Sequence, residues 1–143
     1  MNKNFIGLNL LYCYFNMLSG MSKTFENIEV WQLSRNFVKE IYDLTNNNHF
    51  YKDWDLKNQI RKASVSVMSN ISEGFERRTT KEFIHFLNIA KGSSGEVRSQ
   101  LYIALDLKYI SLTEFENLSQ KILLISKSLS GLIKYLSNSN PKI

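Results

Sequence analysis

One run near the C-terminus constrains this chain more than any other feature. Phe115, Leu118, Ile122, Ile125, Leu129, Leu132 and Leu136 follow one another in alternating steps of three and four. Such a series lies on one face of an α-helix, whereas a strand returns to the same face every second residue. A helix with an apolar seam of this kind must bury it against other elements. Thr113 with Glu116 three residues later has the spacing of a capping box and predicts where the helix begins; Pro141 lies beyond its end.

The rest of the chain supplies the partners. Ile28, Trp31, Phe37, Val38, Ile41 and Leu44 mark a first helix over about 27–44, ended by Asn46, Asn47 and Asn48. Leu56, Ile60, Ala63, Val67 and Ile71 mark a second, with Asp53 as its cap and Gly74 as its stop. Phe83, Phe86, Leu87, Ala90, Val97, Leu101, Ala104 and Leu105 mark a third, opened by Thr79 with Glu82 and running to about Tyr109. Gly92 and Gly95 inside it weaken it by about 1 kcal/mol each. One proline and six glycines cannot supply the turns of a sandwich or barrel. A chain of 143 residues makes one domain, so the predicted fold is all-α, an antiparallel up-down four-helix bundle over residues 21–143.

Residues 1–20 are set apart as a leader outside the fold. Lys3 followed by the apolar stretch Phe5–Leu18 resembles a signal peptide, but Asn9, Tyr12, Tyr14 and Asn16 interrupt it. The alternative is that translation starts at Met21, where the amphipathic pattern follows directly. The segment is too short and too polar for a spanning helix. The expected location is the cytoplasm, without a membrane contact.

The chain carries a net charge of +5, unevenly spread. Residues 57–98 hold eight basic side chains against four acidic ones, including four of the five arginines, while residues 22–56 are net acidic. Arginine forks match phosphate oxygens. Arg61, Lys62, Arg77, Arg78, Lys81 and Arg98 are therefore the candidate nucleic-acid contacts, acting through charge and shape with no base-reading module. Lys57 shares a face with Arg61, and Lys81, His85 and Asn88 share a polar stripe. The competing reading is a solvated face with ion pairs one turn apart, Glu82 being one candidate acid.

No constellation points to catalysis, and we expect no enzyme. Asn70 and Glu73 make a polar pair, and Asp53 and Asp55 flank Trp54, but nothing implies a closed pocket. Glu-x-x-His occurs once, at Glu82–His85, where a di-iron bundle needs it on two helices, and Cys13, His49 and His85 are too few for a metal centre, so no metal or other cofactor is expected. The Gly92-Ser93-Ser94-Gly95 run is read as a site of tight helix packing, within or between subunits, rather than a phosphate loop. Tyr51, Trp54, Phe75, Tyr102 and Tyr109 lie outside the seams, as core, staple or oligomer residues.

The run from Ile60 to Phe75, IRKASVSVMSNISEGF, resembles the signature of the bacterial four-helix-bundle family of large-ribosomal-RNA intervening-sequence proteins, also labelled S23 ribosomal proteins. That signature reads roughly Leu-Arg-Arg-Ala-Ala-x-Ser-Ile-Pro-Ser-Asn-Ile-Ala-Glu-Gly. Val30-Trp31-Gln32, Lys81-Glu82-Phe83, Gln100-Leu101 and Tyr109-Ile110 extend the likeness over about 25–136. Arg61 and Lys62 match the basic pair, and Asn70, Glu73 and Gly74 the strongest positions, for which a structural role is expected. Met68 replaces the signature proline, Asp55 the usual glycine before the second helix, and His49-Phe50-Tyr51 a Phe-Pro loop. The resemblance implies a homopentamer, often with a central channel, and a link to RNA or DNA. A relative, the accessory protein of diversity-generating retroelements, adds a polymerase-type protein partner. The expected function is a non-enzymatic scaffold that binds RNA or DNA. The alternative is a protein–protein module with no nucleic-acid contact.

Overall fold

The computed structural model describes residues 24–77 and 79–138, save the side chain of Asn48. Among these residues the protein is all-helical. A 3-10 turn, Phe25–Asn27, precedes five helices: α1 Glu29–Thr45, α2 Asn48–Lys52, α3 Trp54–Glu76, α4 Thr80–Asp106 and α5 Leu112–Asn138. The four long helices pack side by side, α3 on α4, α4 on α5, and α1 on both α3 and α5. The leader lies outside the described residues.

The seams meet in one core. Leu118, Ile122, Ile125, Leu129 and Leu136 of α5 are buried, with Phe115 and Leu132 packed at the margin. All five apolar residues assigned to the second helix are buried, as are Leu87, Ala90, Val97 and Leu101 of α4. Across the bundle Lys121 of α5 pairs with Glu40 of α1 at 2.7 Å, tying helices far apart in sequence.

Capping chemistry sets the boundaries. The Asp53 carboxylate accepts from the Leu56 N–H at 2.9 Å and starts α3. The Thr79 hydroxyl accepts from the Glu82 N–H at 3.2 Å and starts α4. For α5 the expected Thr113–Glu116 box is displaced. Ser111 accepts from the Glu114 N–H, and the Glu114 carboxylate takes the Ser111 N–H at 2.7 Å. Both pairs have the right spacing, and the chain uses the earlier one because α4 ends earlier than predicted, at Asp106. There Lys108 adopts φ 58°, with Tyr109 N–H bonded to Ala104 O and Lys108 N–H to Leu105 O. That is a Schellman turn with lysine where glycine is usual.

Two further expectations change. Gly74 does not stop α3, which continues to Glu76. A Cβ there would lie 2.6 Å from Phe86 Cβ and 2.9 Å from the Phe83 ring, so the glycine is where α3 and α4 close on each other. The linker after α1 contains the short helix α2, whose Phe50 is fully buried and stacks at 5.5 Å on Tyr109. In the Gly92–Gly95 run the serines do the packing: Ser93 and Ser94 are buried, whereas a Cβ on either glycine meets nothing within 4 Å.

Candidate nucleic-acid interface

The five candidate contacts among the described residues are spread along α3 and α4. Arg77 caps the end of α3 and Lys81 lies in the first turn of α4, on either side of the hairpin turn. They share an open groove with Glu82, His85 and Phe86. The Arg77 guanidinium sits 5.0 Å over the Phe86 ring and pairs with Glu73 at 2.7 Å, with both side chains about half exposed. The ion pair at this tip is thus Arg77–Glu73 rather than one through Glu82, whose carboxylate accepts from the Thr79 hydroxyl. Glu73 and Glu82 offset part of the charge of Arg77 and Lys81. Arg78 lies outside the described residues.

Arg61 and Lys62 sit elsewhere. Arg61 donates from Nε to Thr45 Oγ1 and from Nη2 to Asn46 Oδ1, each at 2.7 Å, and its guanidinium stacks 4.5 Å over Tyr42. It secures the end of α1 where the helix dipole favours a cation. Lys62 beside it is exposed and borders an open groove with Tyr42 and Asn58. Arg98 is exposed on α4, about 140° round the helix from Ser93, the residue that meets α3. Lys81 and Arg98 are 17 residues apart on one helix, about 25 Å. Among the described residues, Lys62, Lys81 and Arg98 form no ion pair.

Within the signature, Asn70 hydrogen-bonds its own helix at the α3–α4 contact. The Asn70 amide donates to Ser66 O at 2.8 Å and Ser66 Oγ at 3.0 Å, and Ser66 Oγ shares a 2.8 Å hydrogen bond with Ser93 Oγ across the α3–α4 contact. Asn70 therefore bonds Ser66 rather than the expected Glu73, which is taken by Arg77.

Lys57 is the residue the sequence misplaces. It is only 4% exposed, its ammonium donates to Tyr51 O at 3.3 Å, and it lies 4.3 Å and 4.6 Å from the centres of the Tyr51 and Trp54 rings. The aromatic residues three before it and six before it were the available signal. Nearby, burial pushes the Tyr109 phenol above its ordinary pKa, and its hydrogen bond to Asp53 at 3.2 Å and the charge of that carboxylate add to the shift.

The family model of the 23S rRNA-intervening sequence protein matches residues 26–131, from the 3-10 turn into the last turns of α5. The chain belongs to that family. A crystal structure from Bacteroides thetaiotaomicron, of a protein with unknown function from the S23 ribosomal protein family, is similar at 25% identity and a TM-score of 0.69. The likeness covers 73% of this chain and 95% of that one. No curated protein matches. The family residues thus span all four long helices and the α3–α4 hairpin. Among the described residues no helix is long and apolar enough to cross a membrane, and no group of His, Cys, Asp and Glu has the arrangement of a metal site.

Proposed function

We propose that this protein is a non-enzymatic, self-associating helical scaffold that binds RNA or DNA through its phosphate backbone, in the cytoplasm. The supporting observation is that Lys62, Lys81 and Arg98 stand exposed without carboxylate partners among the described residues, in a family named for ribosomal RNA intervening sequences. Arg77 joins them with half its side chain in solvent. The separation of these cations favours a partner long enough to span a helix length, read by shape and charge. In a ring of subunits, such as the pentamer the resemblance implies, each cluster would repeat and the weak single contacts would add.

Filter binding of an RNA duplex over a range of salt tests this. Reversal of Arg77 and Lys81 together to glutamate is expected to weaken binding roughly tenfold and to lower the log–log salt slope by about two. Equal affinity and slope in the double variant would remove the tip from the interface.

The protein-docking alternative draws support from Tyr102, Ile103, Leu107 and Leu112, large side chains left about half exposed around the α4–α5 turn. Such a patch fits another copy of the chain or a polymerase-type partner. Light scattering of the full chain is expected to give about five times the 16.7 kDa subunit mass. A monomer at high concentration would remove the ring.

A further inference from the structure

Trp54, Asn58, Arg61 and Lys62 recur at intervals of four, three and one, which puts them along one side of α3. From Trp54 to Lys62 this strip is about 12 Å long. Asn58, Arg61 and Lys62 open with Tyr42 onto the groove between α1 and α3. Trp54 is 67% exposed and Tyr51 58%, values unusual for the two largest aromatic types. Neither ring is loose, because both are held against the Lys57 ammonium. Tyr42 is likewise held under the Arg61 guanidinium.

The strip therefore alternates fixed aromatic faces with positive charge, and the local acids are largely engaged. Asp43 is paired with Lys39 at 2.8 Å, and Asp53 is occupied by Leu56 N–H and Tyr109. Asp55, seven residues before Lys62, lies on the Lys62 edge of the strip about 10 Å away and offsets part of its charge. A duplex hides its base faces inside the stack, so it could use the charge but not the rings. An unpaired strand presents both base faces and phosphates at a spacing this strip can follow.

We infer that the α3 strip from Trp54 to Lys62, together with the α1–α3 groove that its Lys62 end borders, is a site for single-stranded nucleic acid, with an unpaired base stacked on Trp54 and a phosphate of the same strand near Lys62. This rests on the nucleic-acid reading above and narrows it to a ligand class. Arg61 spends its hydrogen bonds on α1 and acts here by holding Tyr42 and by its charge.

The test is fluorescence anisotropy of labelled oligouridylate, oligothymidylate and a blunt RNA duplex with the full chain. Trp54→Ala is expected to weaken both single strands roughly tenfold, Trp54→Phe to restore most of the loss, and duplex binding to stay unchanged. Lys62→Glu should weaken single strands as well. A stronger effect on oligouridylate than on oligothymidylate marks RNA as the strand in question; equal effects mark the shared base-and-phosphate chemistry. Duplex binding that persists while single strands fail to bind, or bind Trp54→Ala as well as wild type, overturns this inference and leaves the broader function standing. Absence of binding to any of the three overturns both. A changed subunit mass in Trp54→Ala with single-strand affinity intact assigns Trp54 to a contact between copies and overturns the inference.

Discussion

Gly74→Ala is expected to lower stability by about 2 kcal/mol, read as a lower urea midpoint with an unchanged slope. The same exchange in an ordinary helix interior raises stability by up to about 1 kcal/mol, since alanine restricts the unfolded chain. Here the added methyl would lie 2.6 Å from Phe86 Cβ, 2.9 Å from the Phe83 ring and 3.3 Å from Phe83 O. The Phe86 Cβ is fixed by its backbone and cannot rotate out of the way as the Phe83 ring can, so α3 must move off α4. Overpacking costs up to about 3 kcal/mol, and the propensity gain offsets part of it. Gly92→Ala and Gly95→Ala meet nothing within 4 Å and should stabilise by about 0.5–1 kcal/mol each. Opposite signs for one exchange on two sides of the same hairpin isolate the close approach as the cause. A midpoint that rises for Gly74→Ala would mean that the helices do not touch there.

That contrast also marks what the sequence could convey. Periodicity reports which face of a helix is apolar, so the seams of α3, α4 and α5 were legible, together with the caps at Asp53 and Thr79. A glycine near a helix end has two physical uses, a left-handed stop or room for a neighbour, and the letters do not separate them; Gly74 serves the second. Ser111 and Thr113 offered equally spaced capping boxes, and the choice depended on where α4 would end. That end is made by Lys108 in a left-handed turn, a conformation with no signal in its side chain. Short α2 escaped because five residues carry too little of a period, though its Phe50 is fully buried.

The candidate interface was legible in kind and not in arrangement. A lysine or arginine in a helix can point to water, to a carboxylate or to an aromatic ring, and its spacing is the same in all three cases. Lys57 proved to be enclosed by Tyr51 and Trp54, Arg77 to be paired with Glu73, and Lys62 to face solvent beside an engaged Arg61. Counting bases therefore leaves open which of them are paired, as Arg77 is and Lys62 is not. What counting missed, the aromatic side of the α1–α3 groove, depends on contacts between helices and not on any one of them.

Arg61→Ala is expected to destabilise the fold by about 2 kcal/mol, although Arg61 was selected as a nucleic-acid contact. Its Nε and Nη2 each make a 2.7 Å hydrogen bond to α1, and charged hydrogen bonds contribute about 1.5–3 kcal/mol. Thr45 is buried, but its hydroxyl also donates to Ile41 O at 2.7 Å, so removing Arg61 leaves no orphaned donor and the loss stays near the lower half of that range. Arg61→Lys should recover less than half, because a compact ammonium cannot reach Thr45 and Asn46 in a fork. Lys62→Glu next to it should change stability by no more than about 0.5 kcal/mol. Charge reversal at Arg61 would then reduce binding in part by loosening α1 from α3. Binding of Arg61 variants must accordingly be compared at a temperature where their helical circular dichroism matches wild type, with Lys62→Glu as the variant that reports charge alone. A thermal midpoint unmoved by Arg61→Ala would show that this guanidinium is free of α1 in solution and would return it to the phosphate-binding surface.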